Sequence, residues 1–343
     1  MAAVITTVTA FLVTWLSGFV LIPLLHKLKF GQTILDIGPN WHKKKQGTPT
    51  MAGLMFIVGI IVSLGIAVLI ILLSGESALK TQIKNNSAMT RFVSGILLAL
   101  GMGLIGFIDD YIKVVKKRNL GLSPRQKTMM QILLSAGYLY SLMMGGMQTT
   151  WLPFVGNIDV KSGLGLAFWP IALLFIYGFT NAVNLTDGID GLASSVTLVV
   201  AVFFMIVSAN MGELPYGLTN IVSSALAGSM VGFLMWNLHP ARCFMGDTGS
   251  MFLGGLVVAL SFMIERPAVL LVAGLVYLIE ALSVVLQVTV YKFTKKRIFK
   301  MSPIHHHFEM SGFSENKIVL LFSAVGMLAG AIAYFLVMRN LVS

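Results

Sequence analysis

The chain has 343 residues, 57% of them hydrophobic and only 11% charged, with a mean hydropathy of +0.87. A water-soluble domain carries about a quarter charged residues, so this composition excludes one and points to a polytopic membrane protein. The net charge of +11 raises nucleic acid as a partner, and the lone Cys243 excludes a disulfide framework.

Apolar runs able to span a bilayer, at about 20 residues each, fall near 4–25, 51–74, 89–108, 128–149, 189–209, 218–236, 268–291 and 317–338, with two shorter ones near 165–180 and 250–264. These predict an all-α polytopic integral membrane protein of about ten transmembrane helices in a single domain over 1–343. No basic segment precedes the first run, and Lys27 and Lys29 follow it, so it reads as a retained helix and not a cleaved signal. Ten spans sort the loops into two alternating sets. The set 26–50, 109–127, 181–188, 237–249 and 292–317 holds 18 lysines and arginines, against 6 for the other. The positive-inside rule therefore places the first set in the cytoplasm and both termini outside. Charge spread along one membrane face suits membrane lipid headgroups and phosphorylated substrates, and not nucleic acid.

The basic loops also carry the unusual residues. In "HKKKQGTPTMAGL" (42–54), Lys43, Lys44 and Lys45 precede a turn through Gly47, Thr48, Pro49 and Thr50; read alone, the block is better explained as an ordinary basic flank with a turn. The second loop opens with Asp109 and Asp110, followed by Lys113, Lys116, Lys117, Arg118, Arg125 and Lys127. Carboxylates with lysines suit a site that handles a divalent cation and phosphate together, or a self-neutralising flank. The third, "FTNAVNLTDGIDGLAS" (179–194), sets Asn181, Asn184, Thr186, Asp187 and Asp190 between two apolar runs. Asp187 and Asp190 are three apart, which on a helical turn puts both on one face. With no basic residue in their own loop, each must find a cation elsewhere or stay solvated, and acids at membrane depth read as functional.

In the fourth loop, "WNLHPARCFMGDTGS" (236–250), Asn237 and Phe244 precede Asp247-Thr-Gly-Ser at the start of the next span. Backbone N–H groups there can face an anion, and Phe244 could stack on a base or simply sit at the membrane interface. The fifth carries "KMSPIHHHFEMSG", with His305, His306 and His307. Adjacent histidines cannot easily ligate one ion, and a single cysteine leaves no mixed zinc set; contact with phosphate or support of a carboxylate fits them better. Glu280 falls inside the ninth run and suggests a break or a polar lumen. Five aspartates (Asp109, Asp110, Asp187, Asp190 and Asp247) thus share one face, which reads as one cytoplasmic active site built from several loops.

"GFIDDYIKV", "NAVNLTDGIDGLA", "NLHPARCFMGDTGS" and "SPIHHHFE" resemble the signature blocks of the polyprenyl-phosphate N-acetylhexosamine-1-phosphate transferases. The likeness runs over essentially the whole chain. The HHH block and "GTPTMAGL" point within that superfamily to the branch acting on UDP-MurNAc-pentapeptide, although Ala52 stands where that branch usually has a second glycine. The resemblance implies transfer of phospho-MurNAc-pentapeptide to undecaprenyl phosphate, releasing UMP and forming lipid I for peptidoglycan at the bacterial inner membrane. It also implies a Mg²⁺ requirement and commonly a homodimer. Carried over, Asp247 is a Mg²⁺ ligand, and Asp109 and Asp110 are catalytic or beside the metal. Lys45, Thr50, Asn181, Asn184, Asp187, Asp190, Asn237 and Phe244 bind substrate, while Lys113, Lys127 and His305 to His307 hold phosphates. The expected chemistry is one in-line displacement with Asp109 or Asp110 as base; the rival is a two-step path through an aspartyl-phosphate. Other readings are a sister enzyme using UDP-GlcNAc, against which the His triplet argues, and a secondary transporter. Transporters set charge near the midplane on repeated, broken helices, and no internal repeat is visible.

Overall fold

The computed structural model describes residues 1–28, 45–73, 77–115, 120–211 and 213–342. Lys29, Lys43, Lys44, Lys116, Lys117 and Arg118 lie outside the described residues. The helices are α1 (Ala2–Lys27), α2 (Leu54–Leu73), α3 (Ser77–Lys84), α4 (Asn86–Val115), α5 (Pro124–Met144), α6 (Phe168–Thr186), α7 (Leu192–Asn210), α8 (Glu213–Asn237), α9 (Gly246–Met263), α10 (Leu270–Ala273), α11 (Leu275–Thr294), α12 (Ile304–Glu309) and α13 (Glu315–Val342). Among the described residues, nine helices are long and apolar enough to cross a membrane. Helix α5 matches the fourth expected run at 21 residues but opens on the polar Pro-Arg-Gln-Lys. Its start is set by Ser123, whose side chain accepts from the Gln126 N–H while the Gln126 side chain accepts from the Ser123 N–H, with Pro124 at the first turn.

Two expected boundaries shift. The third apolar run does not stop at Asp109 and Asp110; α4 continues to Val115, so both carboxylates stand on a continuing helix. The ninth run is broken at Gly274 into α10 and α11. An antiparallel hairpin of β1 (Thr149–Leu152) and β2 (Gly156–Asp159) adds to the helical bundle a small element that no apolar period announced. At that end the Trp151 N–H donates to Glu265 O at 3.3 Å, Arg266 lies 4.8 Å over the Trp151 ring, and Arg91 pairs with Glu265.

Several hydroxyl residues inside the spans are satisfied within their own helix. Thr6, Thr197, Ser208 and Ser223 each donate to the carbonyl four residues earlier, which satisfies them without water. The core is organised around α9. Its mean hydropathy, 1.3, is lower than that of lipid-facing α2, 3.2, yet every residue from Thr248 to Met263 is buried. Small residues make that possible by letting backbones approach. A Cβ on Gly106 of α4 would lie 2.0 Å from the Asp247 carbonyl oxygen, one on Gly255 would lie 2.9 Å from Ala99 Cα, and one on Gly254 2.7 Å from Thr180 Cα. Alternating helices thereby bring the C-terminal ends of α4, α6 and α8 to the N-terminal ends of α5, α7, α9 and α13.

Candidate active site

Asp247, at the start of α9, is the meeting point. Its Oδ2 lies 2.9 Å from Lys113 Nζ of α4 and 3.1 Å from Lys127 Nζ of α5, and its Oδ1 accepts from Asn184 Nδ2 of α6 at 2.8 Å. Asn184 also donates to Ser250 Oγ at 2.8 Å, so the amide fixes the carboxylate relative to α9. Asp109, 3% exposed, pairs with Lys113 at 2.6 Å through Oδ2 and accepts the Leu122 N–H at 2.7 Å through Oδ1. Gly121 makes room for it, since a Cβ there would sit 2.3 Å from Asp109 Oδ1. Asp110, 4% exposed, behaves differently. Its Oδ1 accepts the Asp247 N–H at 3.2 Å, and its Oδ2 accepts the Thr248 N–H at 2.8 Å and the Thr248 hydroxyl at 2.7 Å. It therefore caps α9 from a neighbouring helix, satisfying N–H groups that have no partner within α9.

One oxygen from each of Asp109, Asp110 and Asp247 lies within 4.8 Å of the others. Three carboxylates against two ammonium groups leave this mouth one negative charge in excess, and hard oxygen donors are what Mg²⁺ takes. The donor set therefore fits the ion that the sequence implies.

The turn 187–191 corrects one expectation. Helix α6 ends at Thr186 and α7 begins at Leu192, so Asp187 and Asp190 do not share a helical face. Asp190 is buried, with Oδ1 2.6 Å from Lys45 Nζ and Oδ2 2.8 Å from His239 Nδ1 and 3.0 Å from the Ala241 N–H. Glu315 of α13 completes that group, 2.7 Å from Lys45 and accepting the Asp190 N–H at 2.9 Å. Lys45 is thus the cation that Asp190 lacked in its own loop. Asp187, half-buried, instead faces the first cluster. Loss of hydration and then the carboxylates of Asp247, Asp110 and Asp190 push it up to about 8.

Other expected site residues also make contacts within the fold. Asn237 is buried and spans its own loop, donating to Cys243 O at 3.0 Å and accepting from Ser194 Oγ at 2.7 Å. Asn181 joins α6 to α5 by donating to Gln131 Oε1 at 2.7 Å. Phe244 is half-buried; its N–H donates to Pro49 O at 2.8 Å and its carbonyl accepts the Ala52 N–H at 3.0 Å, which seats the Thr50 turn beside Gly246. Ala52 is fully buried, and the residue that must lack a side chain is Gly53, where a Cβ would lie 2.3 Å from Gly249 Cα. The histidines diverge: His305 Nδ1 meets Glu280 at 3.0 Å, His306 Nδ1 meets Glu309 at 2.6 Å, and His307 Nδ1 accepts the Lys300 N–H at 3.1 Å. They do not form one cradle. His239 and Glu315, as partners of Asp190, and Gln131, as partner of Asn181, carried no signal in their spacing, because all three act across 49 or more residues.

A helical membrane bundle whose mouth gathers carboxylates able to hold a divalent cation, beside lysines able to meet phosphate, has the equipment a membrane phosphoglycosyl transferase needs. The family described as Glycosyl transferase family 4 matches residues 92–265, from α4 through α9. A phospho-N-acetylmuramoyl-pentapeptide-transferase from Acetivibrio thermocellus is 44% identical over 328 residues, covering 96% of this chain and 93% of its own length. Proteins of the same name are 45% identical in Carboxydothermus hydrogenoformans, covering 94% of this chain and 95% of theirs, and 42% in Clostridioides difficile, covering 92% of each. The chain belongs to the phospho-N-acetylmuramoyl-pentapeptide-transferase family.

Proposed function

We propose that the protein transfers phospho-MurNAc-pentapeptide from UDP-MurNAc-pentapeptide to undecaprenyl phosphate, releasing UMP and giving lipid I for peptidoglycan. The reaction is placed at the cytoplasmic face of the bacterial inner membrane, with both termini outside, and the working form is a homodimer. The observation that carries the reading is Asp247 held between Lys113 and Lys127 beside Asp109. Face and termini rest on the sorting of basic residues, and the homodimer on the family resemblance.

Both substrates are anionic, so attack of a phosphate on a diphosphate must overcome like-charge repulsion. Mg²⁺ held by Asp247 with Asp109 or Asp110 would supply part of that neutralisation. Lys113 and Lys127 meet phosphate oxygens as point charges. Asp110, with both oxygens engaged by α9, sets the position of Asp247; Asp109, with one backbone hydrogen bond and one lysine, is the better placed to take a proton. That proton is optional, because a phosphate monoester has its second pKa at about 6. Asn184 keeps Asp247 turned to the mouth, and Lys45, Asp190 and Phe244 border the nucleotide side.

The test is a radiolabelled transfer assay in detergent with Mg²⁺ titration. Asp247→Asn is expected to lose about 100-fold or more in kcat, with Asp109→Asn and Asp110→Asn also impaired; full activity in all three refutes the site. Mg²⁺-dependent UMP release without a membrane gradient excludes transport. A phosphorylated aspartate trapped with the UDP-sugar alone would replace the direct displacement by the two-step path.

A further inference from the structure

Glu280 is 0% exposed in α11, in an apolar helix where a carboxylate is costly and marks function by default. Its Oε2 lies 3.0 Å from His305 Nδ1 and 3.5 Å from the His305 N–H, so it grips both the ring and the backbone of that residue. His305 is likewise 0% exposed, and its second ring nitrogen, Nε2, is buried without a hydrogen-bond partner. That nitrogen lies 2.2 Å from where a Cβ on Gly188 would stand, so the ring abuts the turn that carries Asp187 and Asp190. The His306 ring packs on its other side, with centroids 4.1 Å apart. A carboxylate that accepts Nδ1–H fixes the tautomer and leaves Nε2 as the atom offered to a ligand. A buried ring nitrogen left unpaired is destabilising, and the bound state removes that cost when a ligand completes it.

We propose that Glu280 is a positioning residue of the transfer reaction: it holds His305 through Nδ1 so that Nε2 meets a polar group of the nucleoside-diphosphate substrate beside the 187–191 turn. The choice of substrate rests on the function proposed above; the orientation of the ring does not. Glu280→Leu is expected to lower kcat/KM for UDP-MurNAc-pentapeptide roughly 10–100-fold, with KM for undecaprenyl phosphate within about twofold. Glu280→Leu leaves the buried His305 Nδ1–H without an acceptor, which is destabilising, so a lower melting temperature is expected and the rates are compared at a temperature where every variant is folded. Glu280→Gln keeps an acceptor for Nδ1–H and recovers most of the loss. The double variant with His305→Ala is expected to be no slower than His305→Ala alone, as residues acting as one unit behave; losses that multiply overturn the proposal.

An independent readout is the ¹⁵N spectrum of histidine-labelled wild-type protein, with His305 assigned through His305→Ala. A ring protonated at Nδ1 whose Nε2 resonance moves on adding UDP-MurNAc-pentapeptide supports the proposal. A tautomer protonated at Nε2 alone, or an unmoved resonance, overturns it, even if Glu280→Leu cannot be purified. Should the wild type transfer nothing to undecaprenyl phosphate, the functional reading fails, and the spectrum still decides how Glu280 holds the ring.

Discussion

At the scale of single residues, five aspartates that look alike in sequence hold five different positions. Asp110 caps a helix, Asp109 shares a lysine, Asp247 bridges two, and Asp190 is neutralised by Lys45. Asp187 faces the other carboxylates and is pushed up to about 8. With an unfolded value of 3.8, the folded protein holds a proton there that the unfolded chain has lost, so stability falls as pH rises from about 4 to about 8 and then levels off. In EDTA, the melting temperature of Asp187→Asn is therefore expected to exceed that of the wild type by a margin that widens over this window. A margin independent of pH would show that Asp187 is not raised.

At the scale of elements, the mouth depends on how closely α4 and α9 approach. A Cβ on Gly106 would meet the Asp247 carbonyl oxygen and the Thr248 nitrogen at 2.7 Å, backbone atoms that cannot swing away. Gly106→Ala is expected to cost about 1–3 kcal/mol and to reduce activity, because it displaces the Asp110 cap and Asp247 together. Gly137, on the exposed face of α5, has nothing within 4 Å of such a Cβ. Gly137→Ala is therefore expected to be neutral or slightly stabilising, which thermal unfolding of the two variants compares directly. That Gly106 faces the site depends on the partner helix, which local sequence does not show.

At the scale of the molecule, the charge sorting and the bundle make one arrangement testable by labelling. Leu164 is 97% exposed beside the hairpin, and Lys296 is exposed beyond α11 at the other end. The native Cys243 is buried, and burial pushes its thiol up to about 12, so it reacts little. A membrane-impermeant maleimide added to intact cells is expected to label Leu164→Cys, and to label Lys296→Cys only after permeabilisation. The reverse pattern would invert the proposed orientation.

The sequence by itself determined the class of fold and the residues gathered at one face, because long apolar runs and segregated lysines are properties of the chain that need no partner. It located the apolar runs that form the long helices and the aspartates of the mouth, and it singled out Glu280 as an acid at membrane depth. Only the tertiary structure decided what each group does. Asp110 became a cap because α9 starts beside it, Asp190 lay apart from Asp187 because the turn between α6 and α7 is not helical, and Glu280 gained a purpose because α12 folds His305 back onto α11. These are pairings across tens to hundreds of residues, set by helix packing, and local spacing carries no record of them.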